Sequence, residues 1–324
     1  MIRVAIERAW YAGRGWTALL LPLAWLYGAV VAIRRVAYAR GWLASRHPGV
    51  PVLIVGNITV GGTGKTPLVA ELAARARARG RRPGIVTRGY GGRAGERPQR
   101  VTAGADVRVV GDEPLLLARR AACPVMVSPD RVAAAEALVS EAGVDCILSD
   151  DGLQHYRLRR DAEVVVRDGA RGDGNGWLLP AGPLREPVRR MRLTDLSLTQ
   201  GPAGDFRLCP GAWRRVDGVD QQRPFASLAG QRAHAVAGIG DPARFFAMLT
   251  AAGIEVLPHP FADHHALQPA ELAFEDDLPV LMTEKDAVKC AAFAAPDWWY
   301  VPVTATFTAE AEMAVDALLD RWLA

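Results

Sequence analysis

The first long feature of the hydropathy pattern is an apolar stretch over residues 16–33, WTALLLPLAWLYGAVVAI, which contains no charged residue. It has about the minimum length at which a helix crosses a bilayer. Arg14 precedes the stretch and Arg34 and Arg35 follow it, while tryptophan and tyrosine, which favour the headgroup region, lie in and around it. Three interpretations stay open: a membrane-spanning helix, a helix lying in the membrane interface, and a buried core helix.

Short apolar runs then alternate with helical segments, which predicts buried parallel strands joined by helices. The first set comprises strands at residues 51–55, 84–86 and 145–149 and helices at residues 68–74 and 115–120. The pattern restarts at about residue 232. The second set comprises a strand and turn at residues 233–240, a helix at 244–252, strands at 254–257, 279–283 and 299–303, and a closing helix at 309–323.

The segment after the first predicted strand, GNITVGGTGKTP, matches the phosphate-binding pattern G-x-x-x-x-G-K-[ST] except that Thr59 replaces the first glycine. Small residues let successive N–H groups turn toward phosphate oxygens, and a helix N-terminus behind them favours an anion. Lys65 would reach the β- and γ-phosphates, and the Thr66 hydroxyl would bind Mg²⁺. The alternative is a glycine-rich turn in an ordinary βα unit. The predicted ATP-binding residues are Thr59, Val60, Gly61, Gly62, Thr63, Gly64, Lys65 and Thr66.

A pair of aspartates, Asp150 and Asp151, follows the predicted strand at residues 145–149. Strand ends of a doubly wound sheet face the ligand crevice, where carboxylates can hold Mg²⁺ or polarise a nucleophile. Asp-Asp-Gly is also a common turn sequence. The phosphate-binding pattern upstream favours the metal interpretation.

Three further loops carry candidate chemistry that the residues alone leave open. In GDEP, Asp112 could be a helix N-cap or a chemical group. In TRGYGG, Arg88 and Tyr90 combine a cation and an aromatic ring, as a substrate-binding loop or a surface turn would. In LPAGPLREP, Arg185 could contact phosphate and Glu186 a metal, although an exposed ion pair also explains such neighbours.

The segment Asp263-His264-His265 follows a predicted strand of the second set. Two adjacent histidines cannot easily converge on one metal ion, so a single imidazole held by a carboxylate is the favoured interpretation. An exposed or structural histidine is the alternative.

Composition adds limits to this picture. Hydrophobic residues make up 50% of the 324 residues and charged residues 23%, which is typical of a folded protein of about two lobes. A formal net charge of +4 is modest for this length and does not indicate nucleic-acid binding. The four cysteines are far apart and form no CxxC pair, so the sequence indicates neither a zinc site nor a disulfide framework.

Seven sequence pieces in order resemble one family, the tetraacyldisaccharide 4'-kinases, or lipid A 4'-kinases, of bacteria with a lipopolysaccharide outer membrane. The pieces are GNITVGGTGKTP, TRGYGG, GDEP, DDGLQH, LPAGPLREP, the DHH segment and TEKDAVK. The resemblance implies transfer of the ATP γ-phosphoryl group to the 4'-hydroxyl of a tetraacylated glucosamine disaccharide 1-phosphate. It places this lipid-linked substrate, with Mg²⁺ and ATP, at the cytoplasmic face of the inner membrane. No nucleic acid and no obligate protein partner is expected.

The resemblance also implies a fold of the α/β class. A P-loop-type α/β/α sandwich lobe and a second, smaller α/β lobe would enclose the active site, and an N-terminal hydrophobic helix would meet the lipid. The expected division is a membrane-associated segment at residues 1–48, an ATP-binding domain at 49–200, a linker at 201–231 and a C-terminal α/β domain at 232–324.

Roles for particular residues follow from the resemblance. Asp112 matches the aspartate proposed as general base on the sugar hydroxyl, and His264 matches the histidine that pairs with it. Family proteins carry a small non-glycine residue at the position of Thr59. With Lys65 as the catalytic cation, the other expected site residues are the metal ligands Thr66, Asp150, Asp151 and Glu186 and the substrate contacts Asn57, Tyr90, Arg88, Gln154 and Arg185.

A P-loop GTPase-type metallochaperone or switch protein is the alternative function. Such a protein needs a guanine-reading motif of the N-K-x-D type. The nearest segment, TEKD at residues 283–286, has lysine and aspartate adjacent and does not fit that spacing.

Overall fold

The computed structural model describes residues 2–13, 15–93, 95 and 97–324, with the backbone alone at residues 2–5. Arg14, expected to flank the apolar stretch, lies outside the described residues. The helices are α1 (Ile2–Ala12), α2 (Leu21–Ala39), α3 (Lys65–Ala78), α4 (Val107–Val110), α5 (Asp112–Arg120), α6 (Arg131–Ala142), α7 (Pro242–Ala251), α8 (Glu284–Cys290) and α9 (Ala309–Leu323). Short 3-10 helices lie at Trp16–Leu20, Val188–Leu193, Phe225–Leu228 and Pro269–Leu272.

The strands are short and mostly buried. They are β1 (Val52–Gly56), β2 (Pro83–Thr87), β3 (Gln99–Val101), β4 (Val125–Val127), β5 (Cys146–Asp150), β6 (Ala162–Asp168), β7 (Leu196–Gln200), β8 (Phe206–Pro210), β9 (Trp213–Arg215), β10 (Gln222–Arg223), β11 (Arg232–Ala237), β12 (Glu255–Pro260), β13 (Val280–Thr283), β14 (Trp298–Val301) and β15 (Val303–Phe307).

Nine of the described strands form one large sheet in the order β15-β8-β7-β6-β1-β5-β2-β4-β3. The strands from β8 to β4 are parallel, and β15 and β3 pair antiparallel at the two edges. β1 and β5 lie at the centre and are fully buried, as expected for apolar strands covered on both faces. Their carboxyl ends therefore meet at one edge of the sheet, where ligands bind in folds of this class.

Helices cover both faces of the large sheet. On one face, apolar side chains of α3, α5 and α9 pack into a single cluster with the strands, including Leu72, Leu117 and Leu319. On the other face α6 contributes Val132 and Leu138 to a second cluster. The result is an α/β/α sandwich, the first of the two expected lobes.

The second lobe is built on a smaller sheet. Six of the described strands form it in the order β10-β9-β14-β13-β11-β12, with β12, β11, β13 and β14 parallel. α7 packs on one face through Phe245 and Leu249, and α8 packs on the other through Ala287 and Cys290. The predicted fold class, two α/β lobes with an N-terminal apolar helix, is confirmed.

The division of the chain between the lobes differs from the expected one in two places. Residues 201–231, expected to be a linker, carry β8 of the large sheet and β9 and β10 of the small sheet. At the other end, β15 and α9 return to the large lobe. The physical reason is pairing and burial: β15 pairs along its whole length with β8, and α9 buries Val315 and Trp322 against the large sheet.

The N-terminal helices lie outside both sheets. Residues 16–39 form one helical stretch that is long and apolar enough to cross a membrane, and most of it is exposed. This exposure excludes the buried core helix among the three interpretations. One face of α2 nevertheless packs on the large lobe, because the Tyr27 hydroxyl donates to the carbonyl oxygen of Arg185 over 3.0 Å. A Cβ atom at Gly28 would lie 2.7 Å from a terminal methyl group of Leu178, so the glycine lets α2 lie close to the large lobe.

Candidate active site

The predicted nucleotide loop, residues 57–64, connects the end of β1 to the start of α3. Gly61 and Gly64 have φ angles of 104° and 80°, which side chains other than glycine rarely adopt. A Cβ atom at Gly62 would meet no described atom within 4 Å, so the outer surface of the loop is open. α3 begins at Lys65 and directs its N-terminal N–H groups and the positive end of its dipole at this loop.

One buried side chain holds the loop and its lysine together. The amide nitrogen of Asn57 donates to the Thr59 hydroxyl over 3.3 Å and to the Gly61 carbonyl over 3.4 Å. Its amide oxygen accepts from Lys65 Nζ over 3.0 Å. Lys65 also lies 3.5 Å from a carboxylate oxygen of Asp151. Asn57, expected to contact substrate, therefore acts on the nucleotide side of the cleft in this structure.

The first half of the loop is bound to the segment after the cis Leu179-Pro180 peptide. Thr59 forms a β-bridge with Leu184, and the Val60 N–H donates to the Pro183 carbonyl over 2.8 Å. The Val60 amide is thus already satisfied within the protein. The part of the loop that remains suited to an anion begins at Gly61, and the buried Thr63 hydroxyl there has no hydrogen-bond partner among the described residues.

The two predicted aspartates at the end of β5 have different environments. Burial raises the pKa of Asp150 to about 7, and the charge of Glu113 acts in the same direction. Although burial opposes it, the charges of Lys65 and Arg185 hold the pKa of Asp151 well below its usual range. Arg185 donates to both Asp151 oxygens over 2.9 and 2.8 Å and also bonds to Asn57. Asp151 is therefore a fixed anion between two cations, whereas Asp150 retains a buried oxygen, Oδ1, with no hydrogen-bond partner in the described structure.

Glu186 lies beside this pair on the loop that precedes the 3-10 helix at Val188–Leu193. It is fully buried, and its Oε1 accepts from Gln154 over 3.1 Å and from the Tyr156 hydroxyl over 3.2 Å. Its Oε2 has no hydrogen-bond partner within the described part of the chain. Gln154, expected to contact substrate, orients Glu186 in this structure and also donates to the Arg185 carbonyl.

The carboxylates do not form a closed metal cage. Across the residues that the structure describes, no three His, Cys, Asp or Glu side chains stand together in a group that could hold a metal ion alone. This arrangement still fits Mg²⁺, which is usually held by one or two carboxylates together with substrate phosphates and water. The unpartnered buried oxygens of Asp150 and Glu186 are the donors that suit it, and Thr66 lies in the first turn of α3.

The predicted pair of Asp112 and His264 is formed across the two lobes. Asp112 is the first residue of α5, with Gly111 at the N-cap position, and His264 lies after β12 in the second lobe. His264 Nδ1 is 3.0 and 3.1 Å from the two Asp112 oxygens. The φ angle of His264 is 62°, in the left-handed region that few histidines adopt, so the loop backbone is strained to place this ring.

Each partner changes the ionisation of the other. Burial would raise the pKa of Asp112, but the hydrogen bond from His264 and the charges of Lys285 and Lys289 outweigh it, and the pKa lies below its ordinary value. Burial would lower the pKa of His264, but the bond to Asp112 raises it above its ordinary value. The pair therefore favours an ionised carboxylate facing the cleft.

The TRGYGG loop joins this pair from the end of β2. The Tyr90 ring lies 5.0 Å from the His264 ring, centre to centre, and is itself exposed. A Cβ atom at Gly91 would lie 3.6 Å from His264 Nδ1, which shows how closely this loop approaches the histidine. Arg88 is exposed at the same edge. Tyr90 therefore belongs to the cleft in this structure, and Arg88 lies at its rim.

Several residues near the cleft were not expected from the sequence. Lys285 of α8 lies 3.0 Å from Glu113 and 3.1 Å from Asp263. The buried Arg131 donates to the Asp150 carbonyl over 3.1 Å, and burial lowers its pKa to about 10. The TEKDAVK piece marked the position of Lys285, but no sequence pattern indicated Arg131.

A second unexpected group connects the nucleotide loop to the smaller lobe. Arg171 donates to the Gly62 carbonyl over 2.7 Å, and its Nε is 3.2 Å from the buried Asp168. Asp168 also accepts from Arg244 of α7 over 2.8 Å. The loop is therefore bonded, through two side chains, to a helix of the other lobe.

Comparison with known proteins gives consistent results. Residues 16–323 match the model of the tetraacyldisaccharide-1-P 4'-kinase family. The chain is similar to tetraacyldisaccharide 4'-kinases of Alkalilimnicola ehrlichii, at 56% identity over 88% of this chain and 87% of that protein, and of Pseudomonas putida, at 50% over 97% and 96%. Its fold matches a crystal structure of the "apo" form of LpxK from Aquifex aeolicus in complex with ATP, with a TM-score of 0.79, 26% identity and coverage of 95% of this chain and 99% of that one.

Proposed function

This chain belongs to the tetraacyldisaccharide-1-P 4'-kinase family, and from that membership we propose the part that each cleft residue plays in phosphoryl transfer. The protein is an ATP-dependent lipid A 4'-kinase. None of the similar proteins supports the GTPase alternative. The observation that carries the proposal is that the nucleotide loop, the Asp150-Asp151 pair and the Asp112–His264 pair lie close together. A Cβ atom at Gly240 would lie 3.1 Å from the Gly62 nitrogen and 3.7 Å from Asp263, which precedes His264, and the charge of Glu113, which follows Asp112, acts on Asp150.

The ATP phosphates bind to the loop from Gly61 to Thr66. The amide groups there and the positive end of α3 supply fixed partial charges, and Lys65, oriented by Asn57, adds a full positive charge. Thr59 and Val60 do not bind the phosphates in this proposal. They hold the loop in place by bonding to residues 183–184. The ATP bound to LpxK of Aquifex aeolicus supports ATP as the nucleotide.

The residues that would hold Mg²⁺ are Thr66, Asp150 and Glu186. When bound, Mg²⁺ supplies charge neutralisation at the phosphate oxygens. Asp151 has a different role in this proposal, because Arg185 occupies both of its oxygens. It fixes Lys65 and Arg185 relative to each other. Arg185 and Tyr90 are the residues that contact the lipid sugar in this proposal.

Asp112 accepts the proton of the 4'-hydroxyl as the γ-phosphoryl group is transferred to that oxygen. Its ionised state at neutral pH and its contact with His264 support this role. His264 orients the carboxylate through its Nδ1 contact. General base catalysis contributes about 10²- to 10⁴-fold to a rate, so Asp112→Ala should lose about that much activity.

The apolar stretch at residues 16–39 attaches the protein to the membrane, with the cleft at the cytoplasmic face, where ATP is available. We place α2 in the membrane interface and not across the bilayer. One of its faces, from Tyr27 to Arg34, is bonded to the large lobe, which leaves the opposite face, with Leu26 and Ile33, for lipid. The same contacts bring the membrane next to the loop that carries Arg185 and Glu186.

The test is transfer of labelled γ-phosphate from Mg·ATP to a detergent-dispersed tetraacyl disaccharide 1-phosphate. Wild type should label the lipid, and Lys65→Ala and Asp112→Ala should both lose most of that activity. Arg232→Gln is a matched control, because Arg232 forms its ion pair with Glu255 on the exposed surface of the smaller lobe. Full lipid phosphorylation by Asp112→Ala would refute the base assignment.

A further inference from the structure

The chain contains only three lysines among its 39 basic residues, and all three lie at the cleft. Lys65 belongs to the nucleotide loop. The other two, Lys285 and Lys289, lie on α8 of the smaller lobe and have no role in the mechanism described above. A lysine ammonium is a compact point charge with three donors, whereas the arginine used elsewhere in this chain is a planar fork.

Lys285 lies at the centre of a group of side chains from both lobes. Its Nζ is 3.0 Å from Glu113 and 3.8 Å from Asp112, both of the large lobe. It is also 3.1 Å from Asp263 and 3.5 Å from His264 Nε2, both of the smaller lobe. One ammonium group thus contacts the two members of the catalytic pair and the residue next to each of them.

Contact with Lys285 also selects the form of the His264 ring. An ammonium group can only donate, so Lys285 favours an acceptor at Nε2, the nitrogen that faces it. Asp263 also lies 3.6 Å from Nε2, but the Asp112 carboxylate lies closer to Nδ1, at 3.0 and 3.1 Å, and favours the proton there. The proton of the neutral ring then resides on Nδ1, which points at Asp112. This is the tautomer in which the histidine donates to the carboxylate and leaves it available as a base.

Lys289 approaches Asp112 from one turn further along α8. Its Nζ lies 3.7 Å from Asp112 Oδ2 and 2.9 Å from the fully buried Asp286. Asp286 in turn accepts from the Gly238 N–H over 3.0 Å and from the Thr283 hydroxyl over 2.6 Å. Lys289 is therefore fixed by the strand ends of the smaller lobe before it meets the carboxylate.

We propose that Lys285 and Lys289 are positioning residues of the transfer reaction, whose two ammonium groups hold the Asp112 carboxylate and the His264 ring in a single arrangement across the cleft. This inference rests on the proposed role of Asp112 as the base. It also assigns a purpose to the TEKDAVK piece: α8 supplies the positive charge that the base lacks within its own lobe.

Charge balance explains why two cations are needed. Around Asp112, the facing charged groups are Glu113 of α5, Asp263 and His264 of the loop after β12, and Asp286, Lys285 and Lys289 of α8. Four carboxylates face two ammonium groups, and His264 is the only other titratable cation among these described residues. Removal of either lysine leaves the buried carboxylates to repel one another, which favours protonation of Asp112.

The experiment compares the pH dependence of kcat/KM for the lipid substrate in wild type, Lys289→Met and Lys289→Arg. Loss of the charge should move the acidic limb of the profile upward by about one pH unit or more, since an opposite charge within about 4–6 Å shifts a carboxyl pKa by that amount. Lys289→Arg should keep the limb near its wild-type position. Because Lys289→Met also leaves the buried Asp286 carboxylate without its cation, the double variant Asp286→Asn/Lys289→Met is measured beside it. It should show a smaller upward movement, since one negative charge of the group is removed together with the lysine.

A second measurement does not depend on catalysis. NMR titration of the His264 ring, assigned with His264→Gln, should give a higher midpoint in Lys285→Met than in wild type, because the lysine charge opposes protonation of the ring. An acidic limb and a His264 midpoint that both stay at their wild-type positions would overturn the positioning role. Wild-type activity in Asp112→Asn would instead refute the base assignment. The NMR titration would then test only whether the charge of Lys285 acts on the His264 ring.

Discussion

At the scale of single residues, Asn57 shows how much one side chain determines in this cleft. It bonds to Thr59, Gly61, Lys65 and Arg185, so it joins the nucleotide loop to both cations that flank Asp151. All these bonds are buried or nearly so, and an amide can make them at once because it has both donors and acceptors. An aspartate could accept from the two cations but could not donate to the loop.

Asn57→Ala should therefore weaken ATP binding more than it slows chemistry. Loss of a typical hydrogen bond costs about 1 kcal/mol, so we expect the KM for ATP to rise about fivefold to tenfold or more, since several bonds are lost. Steady-state kinetics with ATP varied at saturating lipid measure this. Thr59→Ala removes only one of the partners of Asn57 and should have a smaller effect. An equal effect of both substitutions would contradict the central role of Asn57.

The pair of Asp112 and His264 should also contribute to stability in a pH-dependent way. The pKa of His264 is raised in the folded protein, so its contribution is fully present below the ordinary histidine pKa of about 6.5 and is lost as pH rises through the folded value. The Tm difference between wild type and His264→Gln should therefore be larger at pH 6 than at pH 9. Differential scanning calorimetry at both pH values checks this, with His265→Gln as the neighbouring control. A difference that grew with pH would contradict the assigned direction.

The local motifs of the site could be predicted, because each is contiguous in sequence and has a spacing that chemistry requires. Their mutual contacts could not. Lys285 and Glu113 are separated by 172 positions, and no sequence pattern relates them. The same limit applies to Asn57 and Gln154: their expected contact with substrate stays a prediction, and their contacts with Lys65 and Glu186 in this structure were not foreseen.

At the scale of helices and strands, α2 has two faces with different partners. One face is bonded to the loop that carries Arg185, and the other presents Leu23, Leu26 and Ile33 to the surroundings. A monomeric soluble protein rarely leaves such a row of large apolar side chains exposed. The exposed face is therefore suited to lipid, and it sits next to the place where the lipid sugar has to enter.

Substitution of Leu23, Leu26 and Ile33 together by glutamine should release the protein from vesicles. Each side chain contributes about 1.5–3 kcal/mol when fully buried, so the loss should reduce vesicle binding by more than a hundredfold. Flotation with vesicles measures binding, and transfer to a detergent-dispersed substrate should fall less than transfer to substrate in vesicles. Met313→Gln, an exposed apolar residue of α9, is the control. Unchanged flotation of the triple variant would show that α2 is not the membrane anchor.

Element prediction succeeded where periodicity was strong and failed where pairing was distant. The closing helix, predicted at residues 309–323, has those bounds in α9, and the first strand differs by one residue. β8 and β9 were missed because FRLCP and WRR show neither a continuous apolar run nor a clear alternation. β15 could not be assigned to the large sheet, since its partner β8 lies about a hundred residues earlier.

At the scale of the whole molecule, the two lobes are joined by two chain crossings and by polar contacts. The crossings run side by side after β8 and after β14, where the Gly211 N–H donates to the Pro302 carbonyl over 2.8 Å. Away from this point, Arg244 reaches Asp168, Arg120 reaches Glu284 over 3.0 Å, and His264 reaches Asp112. The contact is also partly apolar, because Val288 of α8 packs into the apolar cluster of the large lobe.

Substitution of Arg244 tests whether the contact between the lobes affects the affinity for ATP. It is bonded to Asp168, which holds Arg171 over the Gly62 carbonyl, so the smaller lobe acts on the nucleotide loop through two ion pairs. Arg244→Gln should therefore loosen the loop and raise the KM for ATP several-fold with little change in the KM for lipid. Arg232→Gln removes an exposed ion pair of the same lobe and should change neither value.

Hydrogen exchange should report the same coupling without catalysis. In Arg244→Gln, the amides of the Gly238–Gly240 turn and of the nucleotide loop, which approach each other closely, should exchange faster than in wild type. Amides of β1 and β13, at the centres of the two sheets, should be unaffected because the lobe cores do not depend on the contact. Addition of ATP should restore much of the lost protection by holding the loop directly. Faster exchange throughout both cores would mean that Arg244 stabilises the fold as a whole and does not act specifically between the lobes.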